Sequence, residues 1–348
     1  MSIARRSRVV CGRTIGDNFN VRRGVHSVVR HRNRAARMCG SWKGALDLVL
    51  LVTIPPWRAF RGRLARGRRE LRRRLLEPLL VGWPTLRDIV MKALAARGHL
   101  VLCDLGDVRF FVDPGDRVLG AWSMWHGGWQ RSEIDRAVAV LSAAGRLSAD
   151  AVFIDVGANI GTHTVYALRT GHFGRAVAFE PEPRNIRLLS MNLDVNGMAQ
   201  RAVVVPKAAG ATTGRAVLHI HPRNKGAHAI GVAPSVDSVD RLDVPVVRLE
   251  DALRELGVGI DSIGLFWIDV EGYEPQVLCG LGEEVMAKAV PIAFEFAPLR
   301  YDAGSKRRLI ERLAAHYKYM YRLAGSTDKV APILSLSSIE QIDDVLVF

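Results

Sequence analysis

Val152-Phe-Ile-Asp155-Val-Gly157-Ala-Asn159-Ile-Gly161-Thr-His-Thr164 is the stretch on which the reading of the whole chain turns. An apolar run of this length, broken only by Asp155, passes directly into a glycine-punctuated turn and then into a helical pattern over 162–170. Such a run reads as a strand buried on both faces and feeding a helix, the opening unit of a parallel sheet. Gly157 and Gly161 permit a tight turn and a close approach by a ligand. Asn159, between them, tolerates the left-handed conformation better than most residues. Asp155 adds a charge argument. An acid at this turn repels phosphates but suits a cationic ligand.

Outward from this unit the pattern repeats. Strands are expected at Val152–Val156, Ala176–Glu180, Ala202–Pro206, Ile263–Val270, Ile292–Phe296, Tyr319–Leu323 and Val345–Phe348. Helices are expected at Thr162–Thr170, Pro183–Asn196, Pro275–Ala287 and Ser305–His316. Non-alternating strands separated by helices predict an α/β fold, a mostly parallel sheet with helices on both faces. The stretch His219–Asp243 breaks the rhythm and reads as a hairpin plus a loop. Before the repeat, a helix near Thr85–Arg97 precedes a strand–turn–strand, Leu100–Cys103 and Val108–Val112. A Trp- and Gly-rich segment and a helix over Ser132–Ala144 follow.

The formal net charge of +14 suggests nucleic acid until it is located. Residues 1–74 hold 20 Lys and Arg against 3 Asp and Glu, whereas the remainder holds 29 against 32. The basicity therefore belongs to the N-terminal segment and the rest is slightly acidic. Three regions are expected: 1–80, a basic, Arg-rich extension that self-repels and is poorly ordered; 81–148, a helix and β-hairpin cap; and 149–348, the catalytic domain. Cys11, Cys39, Cys103 and Cys279 have no clustered spacing, which argues against a disulfide framework or a zinc site. With no apolar run of membrane-spanning length, a cytoplasmic location is expected. The basic extension adds the option of peripheral contact with anionic lipid.

Three further acids complete the chemistry. Glu180 ends the second strand some 19 residues after Gly161, where a carboxylate can hold both ribose hydroxyls of a nucleoside cofactor. This leaves NAD and S-adenosyl-L-methionine both open; Asp155 favours the cationic one. Asp269 and Glu271, in Trp267-Ile-Asp269-Val-Glu271-Gly272-Tyr273-Glu274, follow the strand expected beside the first. They would project from the carboxyl edge of the sheet, where open parallel sheets bind ligands. There they could orient or deprotonate a hydroxyl or hold a metal. The bland alternative is that Asp269 braces the glycine loop or caps the following helix.

Four phrases in order, FIDVGANIGTHT (153–164), VAFEPEPRNIRLLSMNLDVNG (177–197), VVVPKAAG (203–210) and WIDVEGYEPQVLCGL (267–281), resemble the successive motifs of the FkbM family of methyltransferases. The resemblance runs from roughly Asp107 to the C-terminus. It implies a Rossmann-like class I methyltransferase with a seven-stranded sheet closed by a C-terminal antiparallel hairpin, Tyr319–Leu323 with Asp344–Phe348. It implies S-adenosyl-L-methionine as cofactor and O-methylation of a sugar, glycolipid or secondary-metabolite hydroxyl. Carried onto this chain, Asp155, Gly157, Ala158, Asn159 and Gly161 would line the methionine part of the cofactor. Glu180 and Pro181 would hold the ribose, and Lys207 and Ala208 would lie near the adenine. Asp269 and Glu271 match the family's paired acids. The family often carries Lys two residues before this Asp; here Trp267 stands in that place.

Glu133 and His126 are fallback candidates for the base, from a segment that covers the cofactor in similar proteins. Glu295, at the end of its strand, faces the same edge or pairs with Arg300 or Arg307. His219, His221 and His228 lack a metal-ligand spacing and read as loop residues shaping the acceptor pocket; no metal is expected. Two rival readings remain. One is an RNA or DNA methyltransferase using the basic extension by counterion release, disfavoured by the acidic remainder. The other is a non-catalytic nucleoside-cofactor-binding protein, disfavoured by Asp269 and Glu271.

Overall fold

The computed structural model describes residues 50–52, 84–120, 128–231, 240–324 and 330–348. The chain divides into Met1–Leu48, outside the described residues, and a compact unit from Val49 to Phe348. Apart from residues 50–52, the Arg-rich extension expected over 1–80 likewise lies outside them.

The unit opens with β1 (Leu50–Val52), α1 (Pro84–Ala96), β2 (Val101–Asp104), β3 (Arg109–Val112) and α2 (Arg131–Ala143). Strands β1, β2 and β3 form a small sheet of their own. The repeating part follows as β4 (Ala151–Val156), α3 (Thr162–Arg169), β5 (Phe173–Phe179), α4 (Pro183–Val195) and β6 (Ala202–Val205). Next come β7 (Ala208–Gly210), β8 (Gly214–Ile220), β9 (Ala229–Ile230), β10 (Asp240–Arg248) and α5 (Leu249–Glu255). The chain ends with β11 (Ile263–Ile268), α6 (Glu274–Cys279), α7 (Glu283–Ala287), β12 (Ile292–Phe296), α8 (Ala303–His316), β13 (Tyr319–Arg322), β14 (Val330–Pro332) and β15 (Asp343–Val347).

The main sheet has the order β14-β13-β15-β12-β11-β4-β5-β6. From β6 to β12 every pairing is parallel, and β15 runs antiparallel between β12 and β13. This is the Rossmann-like class I methyltransferase arrangement, with one short edge strand more than the expected seven. The C-terminal pair also differs from a simple hairpin. β13 and β15 are antiparallel neighbours, but β14 and a 3-10 turn over Ile333–Ser338 intervene in the chain.

Every residue of β4 and of β11 is buried, which is why their sequences do not alternate. Val152, Ile154 and Val156 pack into one core with Phe266 and Ile268. Phe153 packs into the core on the other face with Leu265, Trp267, Tyr166 and residues of β2, β3 and α2. Residues of the expected cap and catalytic regions therefore share one core. Helix α4 starts as its sequence demands: the Glu182 carboxylate caps Asn185 N–H at 2.6 Å and Pro183 takes the first turn.

The expected helix Pro275–Ala287 is two helices, because Gly280-Leu281-Gly282 interrupts it. The expected strand over 202–206 ends at Val205, and the chain then enters a second sheet, β7-β10-β8-β9. Its long strands β8 and β10 flank the region read as hairpin and loop and enter it only at its two ends. The Cys103 thiol is buried and pushed up to about 12, and Cys279 is free as well. No described helix is long and apolar enough to cross a membrane.

Candidate active site

The turn after β4 has the conformation its sequence predicts: Gly157, Asn159 and Gly161 all take positive φ, at 84°, 51° and 87°. The two glycines are required by the protein's own packing. A Cβ on Gly157 would lie 1.9 Å from the Asp269 carbonyl oxygen, and one on Gly161 would lie 2.4 Å from Leu189 Cδ1. Gly157 holds the ends of β4 and β11 together, and Gly161 lets α3 close on α4.

A cleft opens at this edge of the sheet. Its floor is Val156, Gly157 and Asn159, and one wall is Phe179, Glu180, Pro181 and Asn185. Asp269, Val270, Glu271 and Tyr273 form the opposite side, and Ala208, Leu218, Lys225, His228 and Ile230 come from the second sheet and its loop. Gly157, Asn159, Glu180, Pro181, Ala208, Asp269 and Glu271 thus meet in one cleft, as the sequence predicts. Asp155, Ala158, Gly161 and Lys207 are not on its wall. Asp155 is fully buried beneath the turn, where Thr164 Oγ1 donates to its Oδ2 and Oδ1 has no partner. It fastens α3 to β4, and burial pushes its carboxyl up to about 7. Ala158 packs into the core, and Lys207 follows β6 on its way to the second sheet.

Glu180 is buried at the end of β5. Its Oε2 accepts from Asn159 N–H at 2.8 Å and its Oε1 from Glu182 N–H at 2.8 Å. Burial outweighs these bonds and raises its carboxyl to about 7. Each oxygen retains acceptor capacity toward the cleft.

The acidic side is built by strand register. Asp269 follows β11 directly, and Glu295 and Asp344 are cross-strand partners on β12 and β15. Glu271 has a positive φ of 56°, and the buried Glu274 fixes that turn by accepting from Val270 N–H at 3.0 Å and Gly272 N–H at 3.2 Å. Arg300 donates to Glu271 at 2.5 Å and to Glu295 at 2.8 Å. Among the described residues Asp269 has no such partner. Burial first, then Glu295, Glu271, Asp344 and Glu274, hold its carboxyl well above the ordinary range.

Asp344 accepts from Gln130 Nε2 at 2.8 Å; Gln130 Oε1 meets His163 Nε2 at 2.8 Å, and the His163 ring lies 4.8 Å from Trp267. Because Gln130 offers His163 its oxygen, His163 carries its proton on Nε2. Burial lowers the ring to about 3, so it stays neutral. Glu133 lies outside the cleft lining and accepts from Ser132 Oγ at 2.9 Å. His126 lies outside the described residues. His219 sits in β8 and His221 in the loop beyond it, while His228 reaches the cleft. Among the described residues no cluster of three or more His, Cys, Asp or Glu has a metal-binding arrangement.

Sequence reasoning named His228 as a loop residue shaping a pocket, and it lines this cleft; Asn185, Lys225 and Tyr273 in the cleft, and Glu274 beneath the acidic turn, were not singled out. Asn185 and Glu274 sit inside the recognisable motifs. Lys225 had no local signal, because a long-range loop delivers it.

A Rossmann-like sheet with an acid-rimmed cleft at the carboxyl ends of its central strands is the arrangement expected of the class I methyltransferase fold. Residues 155–323 match the family model described as the Methyltransferase FkbM domain. Methyltransferase sdnD of Sordaria araneosa is 29% identical over 163 residues, 40% of this chain and 63% of that protein. Methyltransferase 1 of Beauveria bassiana is 25% identical over 177 residues, 47% of this chain and 71% of that protein. The match therefore spans less than two thirds of the Sordaria relative. Among solved structures, the precorrin-6y C5,15-methyltransferase from Geobacter metallireducens overlays with a TM-score of 0.35 at 11% identity, covering 63% of this chain and 86% of that one.

The cofactor of this family is S-adenosyl-L-methionine, and the cleft's donor set fits it. Among the described residues, Glu180, Asp269 and Glu271 face the cleft against Lys225 as its one charged basic side chain, and no arginine is in its lining. That balance suits a sulfonium and an ammonium, and disfavours a pyrophosphate.

Proposed function

We propose that this protein methylates a hydroxyl oxygen of a small-molecule acceptor (a sugar, glycolipid or secondary metabolite), with Asp269 as the general base. One observation carries the reading: of the acids Asp269, Glu271 and Glu295 at the sheet edge, Arg300 pairs with the latter two, and Asp269 faces the cleft with no cation bonded to it among the described residues.

S-adenosyl-L-methionine, when bound, supplies an electrophilic methyl group on a sulfonium. Glu180 would hold the ribose through its remaining acceptor capacity, and Asn159 and Gly157 would lie under the amino-acid part. An alcohol is a weak nucleophile at neutral pH, so a positioned base accelerates its attack. Asp269 suits that task because its raised carboxyl accepts a proton more readily than an ordinary aspartate. It takes the proton that the acceptor hydroxyl loses and returns it to solvent. Glu271, bound to Arg300, would orient the acceptor.

Calorimetry with S-adenosyl-L-methionine and with NAD tests the cofactor, followed by methyl-label transfer to a panel of hydroxylated sugars, lipids and metabolites. Heat with the first cofactor alone, and label on oxygen, is the expected outcome. Heat only with NAD, or label on nitrogen or carbon, would overturn the reading.

A further inference from the structure

The loop His221–His228, between β8 and β9, straps one side of the cleft. Lys225 C=O accepts from Asn159 Nδ2 at 3.2 Å and from Asn185 Nδ2 at 3.3 Å, which ties the strap to the glycine turn and to α4. Lys225 N–H donates to the buried Asp116 carboxylate, and Arg117 N–H donates to Arg223 C=O at 2.8 Å. Inside the strap, His221 Nδ1 accepts from Arg223 N–H at 3.2 Å and Asn224 N–H at 2.9 Å.

The strap also fixes the proton of a second ring. His228 Nδ1 accepts from His221 N–H at 3.0 Å, so Nδ1 carries no hydrogen. Burial first, then Lys225, His221 and Arg184, lower this ring to about 4, and it is neutral at physiological pH. The one remaining proton is therefore on Nε2. His228 lines the cleft beside an apolar slot made by Leu218 and Ile230, which are register partners, together with Ala208 and Phe179. Apolar side chains lining the cleft beside one fixed N–H donor suit a purine, whose ring nitrogens accept hydrogen bonds on the edge of an apolar plane.

We propose that His228 donates its Nε2–H to a ring nitrogen of the adenine seated between Leu218, Ile230 and Ala208, so that the strap is a purine-recognition element. The proposal rests on the reading of the cleft as the S-adenosyl-L-methionine site.

Two substitutions separate this role from mere support of the strap. His228→Asn keeps an acceptor near the place of Nδ1 and removes the Nε2 donor; His228→Gln does the reverse. S-adenosylhomocysteine is titrated calorimetrically into the full-length wild type and both variants, whose melting temperatures are compared. H228N is expected to bind roughly tenfold more weakly at an unchanged melting temperature, and H228Q within about threefold of wild type. S-adenosylhomocysteine analogues with N1, N3 or N7 of the adenine replaced by C–H give the second readout. One of them should lose a similar factor on wild type and nothing further on H228N. Wild-type affinity in H228N, or an analogue loss that adds fully to that of H228N, would overturn the proposal. A wild type that binds no S-adenosylhomocysteine would overturn the cofactor reading itself, a separate failure.

Discussion

Arg300 Nη1 lies 2.5 Å from Glu271 Oε2, and this ion pair divides the labour between two acids that the sequence places only two residues apart. Glu271 is neutralised, and Asp269 is left to the cleft. Asp269→Asn keeps the shape and removes the proton acceptor, so kcat should fall by about 10²–10⁴-fold while S-adenosylhomocysteine affinity changes little. Glu271→Gln breaks a partly screened pair and should cost less than about tenfold in kcat, with the loss appearing mainly in KM for the acceptor. Single-turnover rates beside calorimetric affinities check both. The reverse ranking would move the base to Glu271.

The buried carboxyls predict a pH dependence of stability. Asp155, Glu180 and Asp344 are each raised to about 7, chiefly by burial. A raised folded-state value means that the native state keeps the proton after the unfolded chain has lost it. Their contribution is therefore complete below the unfolded values near 4 and is lost as pH rises to about 7. Ligand-free protein should melt at lower temperature at pH 8 than at pH 5. The sulfonium of S-adenosyl-L-methionine favours ionised Asp269, so the affinity ratio of S-adenosyl-L-methionine to neutral-sulfur S-adenosylhomocysteine should rise with pH as that raised acid ionises. A flat ratio in calorimetry from pH 5 to pH 8 would exclude a titrating acid beside the sulfur.

The glycine turn makes a ranked prediction. At Gly157 a new Cβ meets backbone, the Asp269 carbonyl at 1.9 Å, which cannot move without parting β4 from β11. At Gly161 it meets the end of a side chain, Leu189 Cδ1 at 2.4 Å, which can yield in part. Both variants also bear left-handed backbone strain of about 1 kcal/mol. Gly161→Ala should cost about 2–3 kcal/mol in denaturant unfolding, and Gly157→Ala more, enough to deplete the folded protein. Equal costs would show that backbone strain alone sets both.

Much of this was legible in the sequence because local pattern determines it. The buried run at Val152, the turn glycines with Asn159, and Glu180 at the next strand end each follow from one element and its neighbour. Asp155 was legible as an acid and misjudged as a ligand-facing one. A strand buried on both faces can turn an acid onto the helix behind it, and Thr164, nine residues on, receives it. β8 and β10 were hidden because they mix charged, proline and apolar residues. Their pairing, Asp240 with Ile220 through Val246 with Gly214, is a long-range event. His228 was legible only as one of three loop histidines near a pocket, because its place in the cleft depends on a strap held by Asn159, Asn185 and Asp116. The break of the helix at Gly280–Gly282 was visible as two glycines, yet the apolar pattern continued through it.

Trp267 stands where similar proteins often carry Lys, and its surroundings explain why a charge is not accommodated. It is fully buried in β11, packs in one core with Phe153 and Tyr166, and lies 4.8 Å from the neutral ring of His163. That ring holds Gln130, which holds Asp344 at the acidic edge. Trp267→Phe keeps an aromatic face against His163 and should lose about 1–2 kcal/mol of stability, with kcat near wild type. Trp267→Lys removes the packing and buries an ammonium, for a loss of about 3–5 kcal/mol or more. It should also disturb the His163–Gln130–Asp344 chain, seen as a shift of the His163 ring protons in NMR spectra. A Trp267→Lys protein as stable as wild type, with His163 signals in place, would show that this side of the strand is open enough to admit a charge.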